Sequence, residues 1–277
     1  MRTSARRRVW VGLVAIAFFL VVFVLPFLFI VLMAIKSRTE AASRSFSWPT
    51  QVHFWDNLAA VFSARDFMLW TAFVNSCILT VASVAVMVLV GAMVGFVMQR
   101  RPSLWSSLAG YLVLAGLIIP PAVVPTIWVL QGVHLFKTMH GLILVEVAYG
   151  LSFCVLLFRA FAATIPRELD EAATIDGAGP IRTFLTIALP LMRPVIITIV
   201  VVQSVAIFND FVNPLYYLPG NRNVTLQVTL FNFQSMYDTS YNLLFMNILI
   251  VTIPPLLVFI FFNRQLVAGL TAGAIKG

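Results

Sequence analysis

The sequence predicts an all-α polytopic membrane protein with six transmembrane helices. Hydrophobic residues make up 61% of the chain and charged residues only 10%, where a soluble domain has roughly 25% charged residues. The mean hydropathy is +1.00. The apolar residues gather into six runs, each long enough at ~1.5 Å per residue to cross a hydrocarbon core of ~30 Å. In lipid each run must be a helix, because any other backbone would leave polar groups unpaired. The period-2 alternation of a membrane barrel is absent from the sequence.

The first run, residues 9–35, follows Arg2, Arg6, Arg7 and Arg8. It is too long for the apolar segment of ~7–15 residues in a cleaved signal, so it reads as an uncleaved signal anchor. The second and third runs cover residues 71–98 and 108–130. Pro120, Pro121 and Pro125 crowd the third and predict a kink, read here as a tolerated bend rather than a hinge. The remaining runs cover residues 141–163, 195–215 and 243–262. This divides the chain into an anchor with an outer loop (1–70), a core (71–263) and a tail (264–277).

Charge placement sets the orientation. With the N-terminus in the cytosol, the inside segments hold twelve of the eighteen Lys and Arg residues and the outside segments six. Cytoplasmic loops are enriched in positive charge, so both termini and the 164–194 loop are placed in the cytosol. The net charge of +8 is therefore explained by loop placement, and a nucleic-acid partner is rejected because the cations form no patch. The partner implied directly is the lipid bilayer. Trp48, Trp55 and Trp70 in the outer loop read as interface anchors, with an external partner as the other reading. Cys77 and Cys154 lie within apolar runs without a metal or redox spacing. His53, His134 and His140 share no ligand spacing, so no metal is assigned.

The polar island at 166–194 is the most informative stretch. Glu168, Asp170 and Glu171 fall in the first turn of a short helix after Pro166, where carboxylates favour the positive helix end. Ala172 and Ala173 keep that helix slim enough to enter a groove. Asp176, Gly177 and Ala178 follow, with Gly177 suited to a left-handed turn. Pro180 starts a second helix, to which Phe184, Ile187 and Leu189 give an apolar side. Pro190 and Pro194 end it and return the chain to the membrane. A surface-lying connector is the alternative, but an acidic first turn is repelled by an anionic leaflet. The island reads as a handle for a partner that pushes on it.

Other polar groups sit at or near membrane depth. Gln203 and Asp210 are seven apart, and Asn209 and Asn213 four apart, which places each pair on one helix face. Glu146 and Tyr149 share a face of the fourth run. These six are candidates for the lining of a substrate path, with amides and carboxylates bonding hydroxyls. Asp210 has a second reading as a helix cap near the outer interface, and for Glu146 and Tyr149 both readings stay open. A stand-alone secondary transporter or channel is the competing function. Few mid-span carboxylates and no inverted repeat support it. A membrane-embedded enzyme would need a cluster such as H-E-x-x-H, which does not occur.

The pattern Glu171-Ala172-Ala173 … Asp176-Gly177-Ala178, with Phe184, Ile187, Leu189-Pro190 and Pro194 further on, resembles the EAA loop of permease subunits in bacterial ABC importers. Residues 207–215, IFNDFVNPL, resemble the N-D-F-x-x-P-L segment of carbohydrate-type permeases. The tail GLTAGAIKG resembles that of the maltose-permease-like subfamily. The resemblance is strongest from residue 71 onward. It implies a type I importer transmembrane domain that pairs with a second permease. It implies a cytosolic ATPase dimer docked at residues 171–177, and an extracytoplasmic binding protein that delivers a sugar or polyol. The chain carries no GxxxxGK[ST] phosphate loop. ATP and Mg would belong to the ATPase partner, with no cofactor held here.

Overall fold

The computed structural model describes residues 2–220, 223–234 and 239–274, and within them the side chains of residues 10–262. Every regular element described is helical. The chain forms two compact units, Met1–Trp70 with Thr229–Pro254, and Thr71–Val228 with Pro255–Gly277.

In the smaller unit, α1 (Arg2–Phe19) runs through a widened π turn, Leu20–Val24, into α2 (Leu25–Ile35). Proline explains the widening. The Pro26 ring would strike a carbonyl one turn back in a regular helix, and here the Leu25 N–H reaches five residues back to the Leu20 carbonyl instead. Residues 10–35 are long and apolar enough to span a membrane. Beyond α2 come α3 (Arg38–Ala42) and α4 (Phe54–Ser63). The Asn57 amide donates to the carbonyls of Ala34 (2.8 Å) and Lys36 (2.9 Å), and accepts from the Asn242 amide (2.7 Å). Lys36 is buried, and its ammonium donates to the Ser45 carbonyl at 2.8 Å and the Ser47 hydroxyl at 3.1 Å. Trp48, Trp55 and Trp70 are all exposed.

Ser37 caps α3 by accepting from the Glu40 N–H, and the Glu40 carboxylate accepts from the Thr50 hydroxyl (2.6 Å) and N–H (3.0 Å). The Thr50 hydroxyl and then its N–H hold the Glu40 carboxyl down to about 2.

The larger unit contains the candidate site. Its first helix, α5 (Met68–Arg100), begins at the unit boundary and has 33 residues, about 50 Å at ~1.5 Å per residue, so it outruns a ~30 Å hydrocarbon core. α8 (Met139–Ala162) is capped by the Thr138 hydroxyl, which accepts from the Gly141 N–H at 3.0 Å. α5 and α8 meet at Gly91 and Gly95. A Cβ placed on Gly95 would lie 2.7 Å from the Phe158 Cβ and 2.8 Å from the Arg159 backbone nitrogen. Small residues four apart let two helix backbones approach closely, and Cys154 and Phe158 are fully buried against this seam.

Two expected spans are not continuous helices. The third run divides into α6 (Leu104–Ile118) and α7 (Val123–Gly132). Pro120 and Pro121 lack N–H donors and push the preceding residue out of the helical region; Ile119 is extended. The expected bend is therefore a break, and Pro125 is tolerated in the first turn of α7. The fifth run divides into α12 (Arg193–Phe208) and α13 (Val212–Tyr217), so Gln203 and Asp210 do not share one helix face, nor do Asn209 and Asn213. Among the described residues four helices are each long and apolar enough to span, and a fifth is counted if α12 and the segment bent from it by 72° are taken as one span. The last of the four, residues 241–262, belongs to α14 (Tyr241–Ala274). Of the expected tail, residues 275–277 lie outside the described residues.

Two predictions follow from these contacts. Gly95→Leu forces α5 from α8 and destabilises the protein by about 1–3 kcal/mol, read as a lower midpoint in detergent thermal unfolding. Gly132→Ala, where a Cβ meets nothing within 4 Å, leaves the midpoint unchanged. The depressed Glu40 carboxyl contributes stability that is full above the ordinary glutamate value of ~4.3 and is lost as pH falls through about 2. Glu40→Gln lowers the unfolding midpoint at neutral pH, and the gap to wild type narrows on acidification. A gap independent of pH would contradict the assignment.

Candidate functional site: a helical handle and a polar cluster

α9 (Glu168–Ile175) starts directly after Pro166, with Glu168, Asp170 and Glu171 in its first turn. Its end is closed by two backbone bonds, Gly177 N–H to the Thr174 carbonyl (3.0 Å) and Ala178 N–H to the Ala173 carbonyl (2.9 Å). This pairing requires a left-handed residue at the turn, and Gly177 has φ +77°. A Cβ there would meet no neighbour within 4 Å, so the glycine is needed for backbone angle and not for space.

Of the two alanines, Ala173 is buried and Ala172 is exposed. Glu168, Glu171, Asp176 and Gly177 are exposed as well, whereas Ala178 is half-buried. Ile175 is 86% exposed and Ile181 is also exposed, so two apolar side chains flank the glycine turn on open surface. The sequence reading missed both. Ile175 stands two residues after the buried Ala173, out of phase with the inward side of a 3.6-residue helix, and that phase was the available signal.

The second arm is α10 (Pro180–Thr183), a π turn over Phe184–Ala188, and α11 (Leu189–Leu191). Pro180 opens it, and Pro190 again follows a widened turn, as Pro26 does. Leu189 is half-buried and Pro190 exposed. At the buried Met192 the chain bends by 72° into α12. A cleft of about 720 Å³ lies between the end of α5 and both arms, bordered by Val97, Arg100, Asp170, Ala178 and Phe184. The Arg100 Nε stands 2.7 Å from an Asp170 carboxylate oxygen. Its N–H is not aligned on that oxygen, so the contact is an ion pair rather than an aligned hydrogen bond. Arg100 was not among the expected site residues.

The polar cluster forms where α12 breaks. One Asp210 carboxylate oxygen accepts from the N–H groups of Val212 (2.8 Å) and Asn213 (3.3 Å), closing the first turn of α13. The buried Glu146 accepts from the Asn213 amide at 3.2 Å, and Asp210 is a neighbouring carboxylate. Tyr149 and Tyr217 share a hydroxyl–hydroxyl bond of 2.9 Å. The exposed Asn209 accepts from Gln227 at 3.0 Å, a partner the sequence did not indicate. Gln203 stands apart: it is buried, and its amide contacts the Cys154 sulfur on α8 at 3.7 Å. Five of the six candidates thus surround the helix break, and the sixth packs between helices.

Every element among the described residues is helical and several are long and apolar enough to span, as in a multi-pass membrane protein. The chain belongs to the binding-protein-dependent transport system inner membrane component family, whose pattern it matches over residues 87–271. It is 31% identical over 260 residues to the diacetylchitobiose uptake system permease protein of Streptomyces coelicolor, covering 92% of this chain and 85% of that one. It is 27% identical over 256 residues to the melibiose/raffinose/stachyose import permease protein of Bacillus subtilis, covering 91% of each. Its fold matches a bacterial ABC transporter involved in the import of the acidic polysaccharide alginate, with a TM-score of 0.82 at 19% identity over 94% of this chain and 97% of that one. The fold is therefore that of a type I ABC importer transmembrane domain. The chain is a permease of the bacterial inner membrane and not an enzyme.

Asn213→Leu leaves the buried Glu146 carboxyl without its amide donor, and a buried group stripped of its partner costs about 1–3 kcal/mol. The expected result is a lower unfolding midpoint in detergent, with a smaller change for Asn209→Ala at the exposed end of the cluster.

Proposed function

We propose that this chain is one of two permeases in a carbohydrate importer, and that the loop at 166–194 docks it on a cytosolic ABC ATPase dimer. The single observation that carries this reading is the handle itself. An acidic helix is closed by a left-handed glycine, presents Glu171, Ala172, Ile175 and Asp176 outward, and is joined through a second arm to a span at 72°. A helix on which nothing pushes has no need of this construction. Its placement on the cytosolic side, with both termini, follows from the excess of Lys and Arg there.

The docking residues are Glu168, Asp170, Glu171, Ala172, Ala173, Asp176, Gly177 and Ala178, with Leu189 and Pro190 turning the second arm. Rotation of the ATPases on binding ATP moves α9, and the bend at Met192 passes the movement to α12. ATP and Mg are bound and consumed by that partner. An extracytoplasmic binding protein delivers substrate to the opposite face, consistent with the family description. A sugar or polyol is the substrate class, because the relatives are named for uptake of diacetylchitobiose and of melibiose, raffinose and stachyose. Glu146, Tyr149, Asn209, Asp210 and Asn213 line the path at the break between α12 and α13, where amides, carboxyls and phenols meet hydroxylated solutes. Gln203 supports them from between the helices.

In a complete transporter, Glu171→Lys reverses the charge at the docking face and Gly177→Asp strains the turn. Each lowers ATP-driven sugar uptake about 30-fold, the equivalent of about 2 kcal/mol. Uptake at the wild-type level in both variants would refute the docking assignment.

A further inference from the structure

Arg100 ends α5 on the side of the handle. Its guanidinium contacts three points around the root of α9. The Nε pairs with Asp170 at 2.7 Å, and a terminal nitrogen donates to the carbonyls of Ile165 (3.0 Å) and Pro166 (3.4 Å). Those carbonyls lie where the chain leaves α8, so they form the pivot about which α9 would swing. The pair is mostly shielded, with side-chain exposures of 11% for Arg100 and 26% for Asp170, and a shielded ion pair is less screened than a surface one.

One turn earlier on α5, the Phe96 ring lies beneath the same guanidinium, 5.6 Å from its carbon, and packs on Phe184 of the second arm with centroids 5.4 Å apart. Two neighbouring positions of one helix thus hold both arms. Immediately before Phe96, Gly95 presses α5 against α8 at backbone distance. The root of α9, the end of α5 and the end of α8 are therefore fixed to one another, whereas α9 tied only by its chain connection would rotate at Pro166.

We propose that Arg100 is a positioning residue for energy coupling: it pins α9 to the end of α5, so that force on the handle moves α5 and α8 together instead of turning α9 about its root. This rests on the docking role given to the loop. Arg100 need not touch the ATPase; it acts through Asp170 and the pivot carbonyls. A planar guanidinium contacts several acceptors at fixed angles, which a lysine ammonium does not reproduce.

The test uses the complete transporter in proteoliposomes, reading ATPase co-purification, ATP hydrolysis and sugar uptake per ATP hydrolysed. For Arg100→Ala the ATPase stays bound and hydrolysis continues, while uptake per ATP falls about 10-fold. Arg100→Lys gives an intermediate loss. The charge exchange Arg100→Asp with Asp170→Arg restores uptake per ATP above either single variant, which shows that the two side chains act as a pair, while a purely structural role would lower assembly and leave uptake per ATP in the assembled complex unchanged. Uptake per ATP within about twofold of wild type in Arg100→Ala overturns the proposal, a change too small to signal lost coupling. So does loss of assembly in both Arg100→Ala and Arg100→Lys, which would make Arg100 a folding residue. A wild-type complex that holds no ATPase overturns the docking role itself, and so separates the two failures.

Discussion

A buried or lipid-facing backbone polar group cannot be left without a partner, and at four departures from regular α-helix among the described residues the backbone finds partners close by. At Pro26 and again at Pro190, the turn before the proline widens so that the N–H ahead of it reaches five residues back. Between α6 and α7 two prolines remove donors outright, and the Thr126 N–H and hydroxyl both satisfy the Ala122 carbonyl. Between α12 and α13 the Asp210 carboxylate takes the free N–H groups of the next turn. The last of these also gathers side chains, since Glu146, Asn209, Asn213, Tyr149 and Tyr217 meet around the same break.

The polar cluster and the handle are built on opposite physics. The polar cluster is a set of side chains drawn inward by a helix break and bonded to one another. The handle is held outward, with its inner side sealed by Ala173 and its outer side left with two exposed isoleucines beside carboxylates. Close to the handle, α5 and α8 are held together by small residues. Close backbone contact at Gly91 and Gly95 leaves little compliance, because a packed interface shifts between discrete arrangements instead of deforming smoothly.

Short-range rules made much of the handle legible. The acidic first turn, the left-handed Gly177 and the helix start at Pro180 each depend on residues within a few positions of one another, and the structure places all three as the pattern requires; the return expected at Pro190 and Pro194 falls at Met192 instead, with Pro190 inside α11 and Pro194 in the first turn of α12. The presence and helical nature of the apolar runs were equally readable. Continuity was not. Pro120, Pro121 and Pro214 were visible, but the rule that lipid demands unbroken helix holds only for lipid-facing backbone, and protein side chains satisfy the breaks. Pairings between distant parts of the chain, Arg100 with Asp170 and Gln227 with Asn209, leave no local trace. Nor does the 72° angle at Met192, which depends on what α12 packs against.

The most direct test of the account is a photoreactive amino acid at Ala172, on the exposed side of α9, irradiated in native membranes while the transporter is turning over. The account predicts a single dominant adduct with a soluble protein that carries an ATP-binding phosphate loop, and a change in its yield when ATP is replaced by ADP. Adducts with lipid alone, or none, would show that the handle lies on the membrane surface and is not where this permease receives its energy.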